Sequence, residues 1–174
     1  MTGIVPAVAF VALAGTAGLY DIWTRRIPNW LTLCMLVIAL VLRSYAGFAA
    51  LGAGLAGALC GLLLALVLFR IGAVGGGDGK LLIGVGAFLG YRDLPGALLV
   101  IGVLGGLLGV FEAVRRGVIL PAIFNAGSMI RGWLTLGRSG TQRTLESPGA
   151  VTVPYGAAIS AGSILWWFWG NALP

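Results

Sequence analysis

The sequence contains no histidine, only two cysteines and only five acidic residues among its 174 positions. Each scarcity removes a class of chemistry. Without histidine, a Ser/His or Cys/His nucleophile cannot be assembled, because the hydroxyl or thiol has no imidazole to take its proton. Cys34 and Cys60 both fall inside apolar runs, where they read as packing residues. Two thiols without an imidazole also make no zinc cluster, so no metal is expected. Charged residues amount to 9% of the chain. A soluble domain of this length needs far more polar surface than that.

What is present is apolar. The chain is 59% hydrophobic, with a mean hydropathy of +1.03. The apolar runs recur along the whole length, which marks an integral membrane protein. In lipid the backbone must satisfy its own hydrogen bonds, so a spanning segment is a helix or part of a closed barrel. The runs are continuous rather than alternating, which selects helices. The expected fold is therefore an all-α polytopic bundle of about six transmembrane helices, residues 1–174 forming one membrane domain. The candidate spans are residues 4–20, 30–42, 47–69, 81–91, 96–114 and 151–170. The second and fourth are short for a hydrocarbon core of ~30 Å at ~1.5 Å per residue. Each is expected to extend: the fourth to begin within GGGDG, the second to recruit residues 27–30 and 44–45. Gly52, Gly54, Gly57 and Gly61 stand at small-residue spacing and predict close helix packing. Ala12-Leu13-Ala14 has the look of a cleavage motif, but no Lys or Arg precedes the first run and two arginines follow it. That polarity is wrong for a secretory signal, so the first run reads as a retained span.

The net charge of +6 does not point to nucleic acid, because the basic residues are scattered in short loops between spans. There they read as topology determinants. The first, third and fifth loops (residues 21–29, 70–80 and 115–150) hold Arg25, Arg26, Arg70, Lys80, Arg115, Arg116, Arg131, Arg138 and Arg143. The second and fourth hold only Arg43 and Arg92. The positive-inside rule then places the odd loops in the cytoplasm and both termini outside. Within the long fifth loop, VILPAIFNAGSMIRGWLTLG is too apolar for a free linker. It reads as an amphipathic helix in the interface, with Arg131 toward the lipid headgroups. RSGTQRTLESPGA, which follows it, reads as a mobile loop.

The topology brings two acids to one depth. Asp21 ends the first span and Asp78 begins the fourth, both at the cytoplasmic face. Of the other acids, Asp93 reads as a solvated turn residue, Glu112 as a salt-bridge partner of the arginines that follow it or a residue near the site, and Glu146 as solvated. Ionisable residues beside apolar spans are costly and tend to be functional. Two carboxylates sharing a site cannot both ionise easily, so one holds a proton near neutral pH. The charged one then acts as general base on a water, and the protonated one donates to the carbonyl oxygen of a scissile peptide. Such chemistry needs no metal or cofactor. Gly75, Gly76 and Gly77 carry no side chains, so a substrate strand can approach their backbone. The bland alternatives are an ordinary N-cap role for Asp78 and an interfacial pairing of Asp21 with Arg25.

DIWTRRIPNWLT, followed later by GGGDGKLLIGVGAFLG and by VPYGAAISAG near the C-terminus, resembles the type IV prepilin peptidases, GxGD-type aspartic proteases of bacterial membranes. The resemblance runs over nearly the whole chain. It implies that Asp21 and Asp78 are the catalytic pair and that Gly75 and Gly77 are the glycines of GxGD. It implies a prepilin-like membrane protein as substrate, cut between a short basic cytoplasmic leader and an apolar pilin helix. Bifunctional members carry a further cytoplasmic domain with paired CxxC motifs and N-methylate the new terminus. This sequence has no CxxC and resembles the short, peptidase-only forms of the Flp/Tad pilus systems. Around the pair, Arg25 or Arg26 either holds Asp21 or anchors the loop to anionic lipid. Lys80 either acts on Asp78 or contacts headgroups. Pro28 and Asn29 form the turn that starts the second span. Pro154, Tyr155 and Gly156 begin the last span, either as a break lining the site or as an ordinary proline start. Two other classes compete: a small channel or transporter with the aspartates as ion sites, and a structural subunit of a pilus or secretion assembly.

Overall fold

The computed structural model describes residues 3–70, 73–117 and 155–170. Among them are six helices and no strand: α1 (Ile4–Thr24), α2 (Asn29–Tyr45), α3 (Phe48–Arg70), α4 (Gly76–Leu89), α5 (Leu94–Arg115) and α6 (Tyr155–Gly170). Three of them, α1, α3 and α5, are long and apolar enough to cross a membrane. Their 21, 23 and 22 residues match a hydrocarbon core of ~30 Å. Leu55, Leu59, Leu63 and Leu66 of α3 all lie exposed along its length. Lipid, not water, covers such a face.

The helix ends move relative to the sequence reading. α1 runs one turn past residue 20, so Asp21 lies within its last turn rather than after it. α2 takes in Asn29, Trp30, Ser44 and Tyr45 but leaves Ile27 and Pro28 outside, because Pro28 is its N-cap. α4 does begin inside the glycine run, at Gly76. Lys80 therefore sits on a helix and not in a loop. The expected interfacial helix, the loop after it with Glu146, and Pro154 lie outside the described residues.

Among the described helices α4 is the shortest and the most enclosed. It has 14 residues, about two-thirds the length a bilayer crossing needs. Nine of them are buried, so protein rather than lipid surrounds it. α2, α3 and α6 pack around it, and α1 and α5 pack on α6. Its contact with α3 is backbone on backbone. Gly57 and Gly86 face each other, and any Cβ on one would strike the carbonyl oxygen of the other. Gly54 and Gly61 extend the seam against Arg43 and Leu82, as their spacing predicts. Gly52 is different, with open space where a side chain would stand. At the end of the bundle away from Asp21, Phe10 of α1 packs on Phe88 of α4 and Trp167 of α6, with ring centroids 5.1 and 5.0 Å apart. This aromatic cluster fixes α1, α4 and α6 together and so fixes the register of their opposite ends.

The sequence pattern assigns Arg43 to a connecting loop. It lies instead in the last turn of α2 and is 5% exposed. Its guanidinium donates to the carbonyls of Ala87 (2.8 Å), Phe88 (2.7 Å) and Ala50 (3.0 Å). Ala87 and Phe88 close α4, where carbonyls have no partner within the helix. A cation there also meets the negative end of the helix dipole.

Candidate active site

The other end of the bundle gathers the residues singled out by the sequence. α1 stops because Arg25 turns into the left-handed region (φ 55°, ψ 26°). Its N–H still reaches the Asp21 carbonyl at 2.9 Å. The Thr24 hydroxyl sits between the carbonyls of Tyr20 (2.8 Å) and Arg26 (2.9 Å). Ile27 is held extended by the proline that follows it. Pro28 (ψ 135°) then starts α2, its carbonyl accepting from Leu31 and Thr32. This tight corner carries Ile27 inward, where it is only 8% exposed.

Asp21 is 6% exposed. Its Oδ2 accepts the Ala157 N–H at 3.2 Å, and the Gly156 N–H points to the same carboxylate. These are first-turn donors of α6, which have no partner within their own helix. A carboxylate there is satisfied by hydrogen bonds and by the positive end of the helix dipole. The arrangement requires glycine at position 156. A Cβ on Gly156 would stand 2.9 Å from Cγ of Asp21 and 2.7 Å from Cδ1 of Ile27.

Asp78 occupies the third position of α4, with Gly75 as N-cap (φ −74°, ψ 160°). It is thus not the N-cap itself. Its carboxyl folds back over Gly75, within reach of the Gly75 N–H. This is the reciprocal half of a capping box, in which a side chain in the first turn reaches back to the cap N–H. Asp78 lies ahead of the apolar run 81–89 and is half-buried. Burial pushes its carboxyl up to about 6, the charge of Asp21 adds to the push, and the Gly75 hydrogen bond opposes it. The two aspartates, far apart in sequence, are therefore electrostatic neighbours.

The surrounding residues divide. Gly75 faces the Asp78 carboxylate, Gly77 faces Ile27, and only Gly76 of the three opens onto free space. Lys80 reaches Asn29 of α2, its Nζ donating to Oδ1 at 2.7 Å. Tyr155 lays its ring against Gly105 of α5, 3.2 Å from where a Cβ would stand. Glu112 pairs with Arg116, 2.5 Å between Oε1 and Nη2, as a salt-bridge partner of the arginines after it. Arg25, Arg26, Arg70, Lys80, Arg115 and Arg116 all belong to this end, through the ends of α1, α3, α4 and α5. Sequence reasoning missed two participants. Ala157 contributes only a backbone N–H, which leaves no trace in residue type. Ile27 was legible as the residue before Pro28, but an apolar residue there signals nothing about what it touches.

A profile of the type IV leader peptidase family matches residues 8–110. The chain is 29% identical over 170 residues to a prepilin leader peptidase/N-methyltransferase of Bacillus subtilis, covering 97% of this chain and 57% of that protein. It is 32% identical over 125 residues to a protein of the same name from Aeromonas hydrophila, covering 67% of this chain and 43% of that one. It is 29% identical over 128 residues to a preflagellin peptidase of Methanocaldococcus jannaschii, covering 67% of this chain and 54% of that one. The chain thus spans about half the length of the curated relatives it matches. No solved structure matches it.

Proposed function

Because the chain belongs to the type IV leader peptidase family, we propose that it is a membrane aspartic endopeptidase with Asp21 and Asp78 as its catalytic pair. Its substrates are prepilin-like proteins of the Flp/Tad kind, from which it removes the short leader at the cytoplasmic face. The observation that supports the reading is that carboxylates from α1 and α4 lie within electrostatic reach of each other, each beside backbone N–H donors at a helix start.

Asp21, supported by the N-terminus of α6, is the base. It takes a proton from a water as that water attacks the scissile carbonyl. Asp78, which holds its proton up to about pH 6, donates to the carbonyl oxygen as the tetrahedral intermediate forms. The same proton inventory then serves the departing amine. Gly76, open to space, is where an extended substrate backbone approaches. Six basic residues at this end of the helices, against Arg43 and Arg92 at the other, favour a cytoplasmic site with both termini outside. The sequence has two cysteines and no CxxC, which favours cleavage without N-methylation.

The test is cleavage in membranes. A prepilin-like substrate is co-expressed with wild type, Asp21→Asn or Asp78→Asn, and leader loss is followed by gel shift. Both variants are expected to accumulate normally and to leave the substrate uncut. Wild-type cleavage by either one returns that aspartate to a structural role.

A further inference from the structure

Ile27 is the side chain that joins the two halves of the site. Its Cβ lies 3.4 Å from where a Cβ on Gly77 would stand, at the start of α4. Its Cδ1 lies 2.7 Å from the corresponding point on Gly156, at the start of α6. That same point is 2.9 Å from Cγ of Asp21. One branched side chain therefore touches the helix that carries Asp78, the helix that holds Asp21, and the neighbourhood of the Asp21 carboxyl. Glycine stands at both contacts, so Ile27 packs on backbone and not on adaptable side chains. Backbone at a helix start does not relax to fill a gap as a side chain does.

The corner that presents Ile27 is itself tied down. Arg25 closes α1 onto the Asp21 carbonyl, and Pro28 fixes the entry to α2. The Lys80 to Asn29 hydrogen bond fastens the start of α2 to α4 two residues beyond Asp78. Ile27 thus acts from a fixed base. We propose that Ile27 is a positioning residue, whose side chain, wedged between Gly77 and Gly156, sets the separation of Asp21 and Asp78. The proposal rests on the two-aspartate reading above. Ile27 and Asp21 are both buried, so the wedge stands within the packed corner and not on its surface.

Removing parts of the wedge separates its contacts. Ile27→Val keeps the β-branch against Gly77 but loses the Cδ1 that reaches Gly156. Ile27→Leu keeps the reach and loses the branch. Ile27→Ala loses both. Purified protein in micelles is assayed on a prepilin-like substrate for kcat, KM and the pH dependence of kcat, with Asp21→Asn and Asp78→Asn alongside. A misplacement of about 1 Å lowers a rate by up to roughly 100-fold. Ile27→Ala is expected to lower kcat by roughly 10- to 100-fold with KM within about 2-fold, and Val and Leu are expected to fall between. The groups acting on Asp78 are Asp21 from α1 and the Gly75 N–H of its own helix. With water admitted and Asp21 further away, the fall in kcat at rising pH should begin at lower pH in Ile27→Ala than in wild type.

A rise in KM with kcat unchanged would make Ile27 a substrate contact and overturn the proposal. So would an unchanged kcat and pH profile in Ile27→Ala while both Asn variants are inactive. Should Ile27→Ala not accumulate, Ile27→Val carries the decision through the same split between kcat and KM. Normal cleavage by an Asn variant sinks the two-aspartate reading itself, whatever the Ile27 series does.

Discussion

Replacing Asp78 by asparagine should stabilise the protein at neutral pH while abolishing cleavage. The sign follows from the carboxyl's proton affinity. In the folded protein it titrates at about 6 against an ordinary 3.8. The folded state therefore binds the proton more tightly than the unfolded state does. Stability from this group is fully present below the ordinary value and is lost as pH rises through about 6. The gap corresponds to about 3 kcal/mol at 1.36 kcal/mol per pH unit, as an upper limit for a charged Asp78 at pH 7.5. Asp78 is half-buried, so solvent screening trims the penalty to roughly 1–2 kcal/mol. Asparagine is neutral throughout and is spared both the desolvation of a charge and the repulsion of Asp21.

Thermal unfolding in micelles at pH 4, 5, 6 and 7.5 reads this directly. Wild type should lose stability between pH 4 and 7.5 relative to Asp78→Asn, whose curve should be flatter. The two should converge near pH 4, where the wild-type carboxyl is already protonated. The capping role predicts the opposite sign. If the carboxylate were kept chiefly for its charge at the start of α4, Asn would weaken the helix start by about 0.3–1 kcal/mol at pH 7.5. An Asp78→Asn protein that melts below wild type at pH 7.5 would refute the reasoning, because the group would then be kept for its charge at a helix start.

Substitutions at four further positions probe the frame around the pair. Arg43→Met leaves the carbonyls of Ala87, Phe88 and Ala50 without their guanidinium donors. It should lower stability by about 3 kcal/mol or more, because three carbonyls lose a charged donor, and Arg43→Lys should recover only part, since an ammonium cannot span the three acceptors; thermal unfolding measures both. Gly156→Ala sets a methyl 2.9 Å from Cγ of Asp21, whereas Gly76→Ala meets nothing within 4 Å. Gly156→Ala should therefore lose cleavage by roughly 10-fold or more in protein that still accumulates, while Gly76→Ala should keep its stability within about 0.5 kcal/mol. Lys80→Met breaks an exposed hydrogen bond to Asn29 and should cost less than about 1 kcal/mol on unfolding.

The large features were legible because they depend on residue type. Six apolar runs correspond to the six helices among the described residues, in the expected order, and the glycine seam of Gly54, Gly57 and Gly61 packs as its spacing implies. Charge asymmetry between the loops assigns Asp21 and Asp78 to one end of the bundle. What the sequence concealed depends on backbone and on depth. Arg43 looked like a loop residue because arginine is normally paired with a headgroup or water at the end of a run. It is buried because a helix of 14 residues ends early and leaves carbonyls that only a long cationic side chain can reach. The partner of Asp21 was invisible for a different reason: Ala157 acts through an N–H that every residue but proline possesses. Gly156 carried the one readable clue to that contact. Glycine is among the weakest helix formers, so one beginning an apolar helix points to something that must come close. Here what comes close is Asp21, with Ile27 beside it. In a chain with 30 glycines the clue is diluted, and only the identity of the neighbour separates a glycine that packs helices from one that seats a carboxylate.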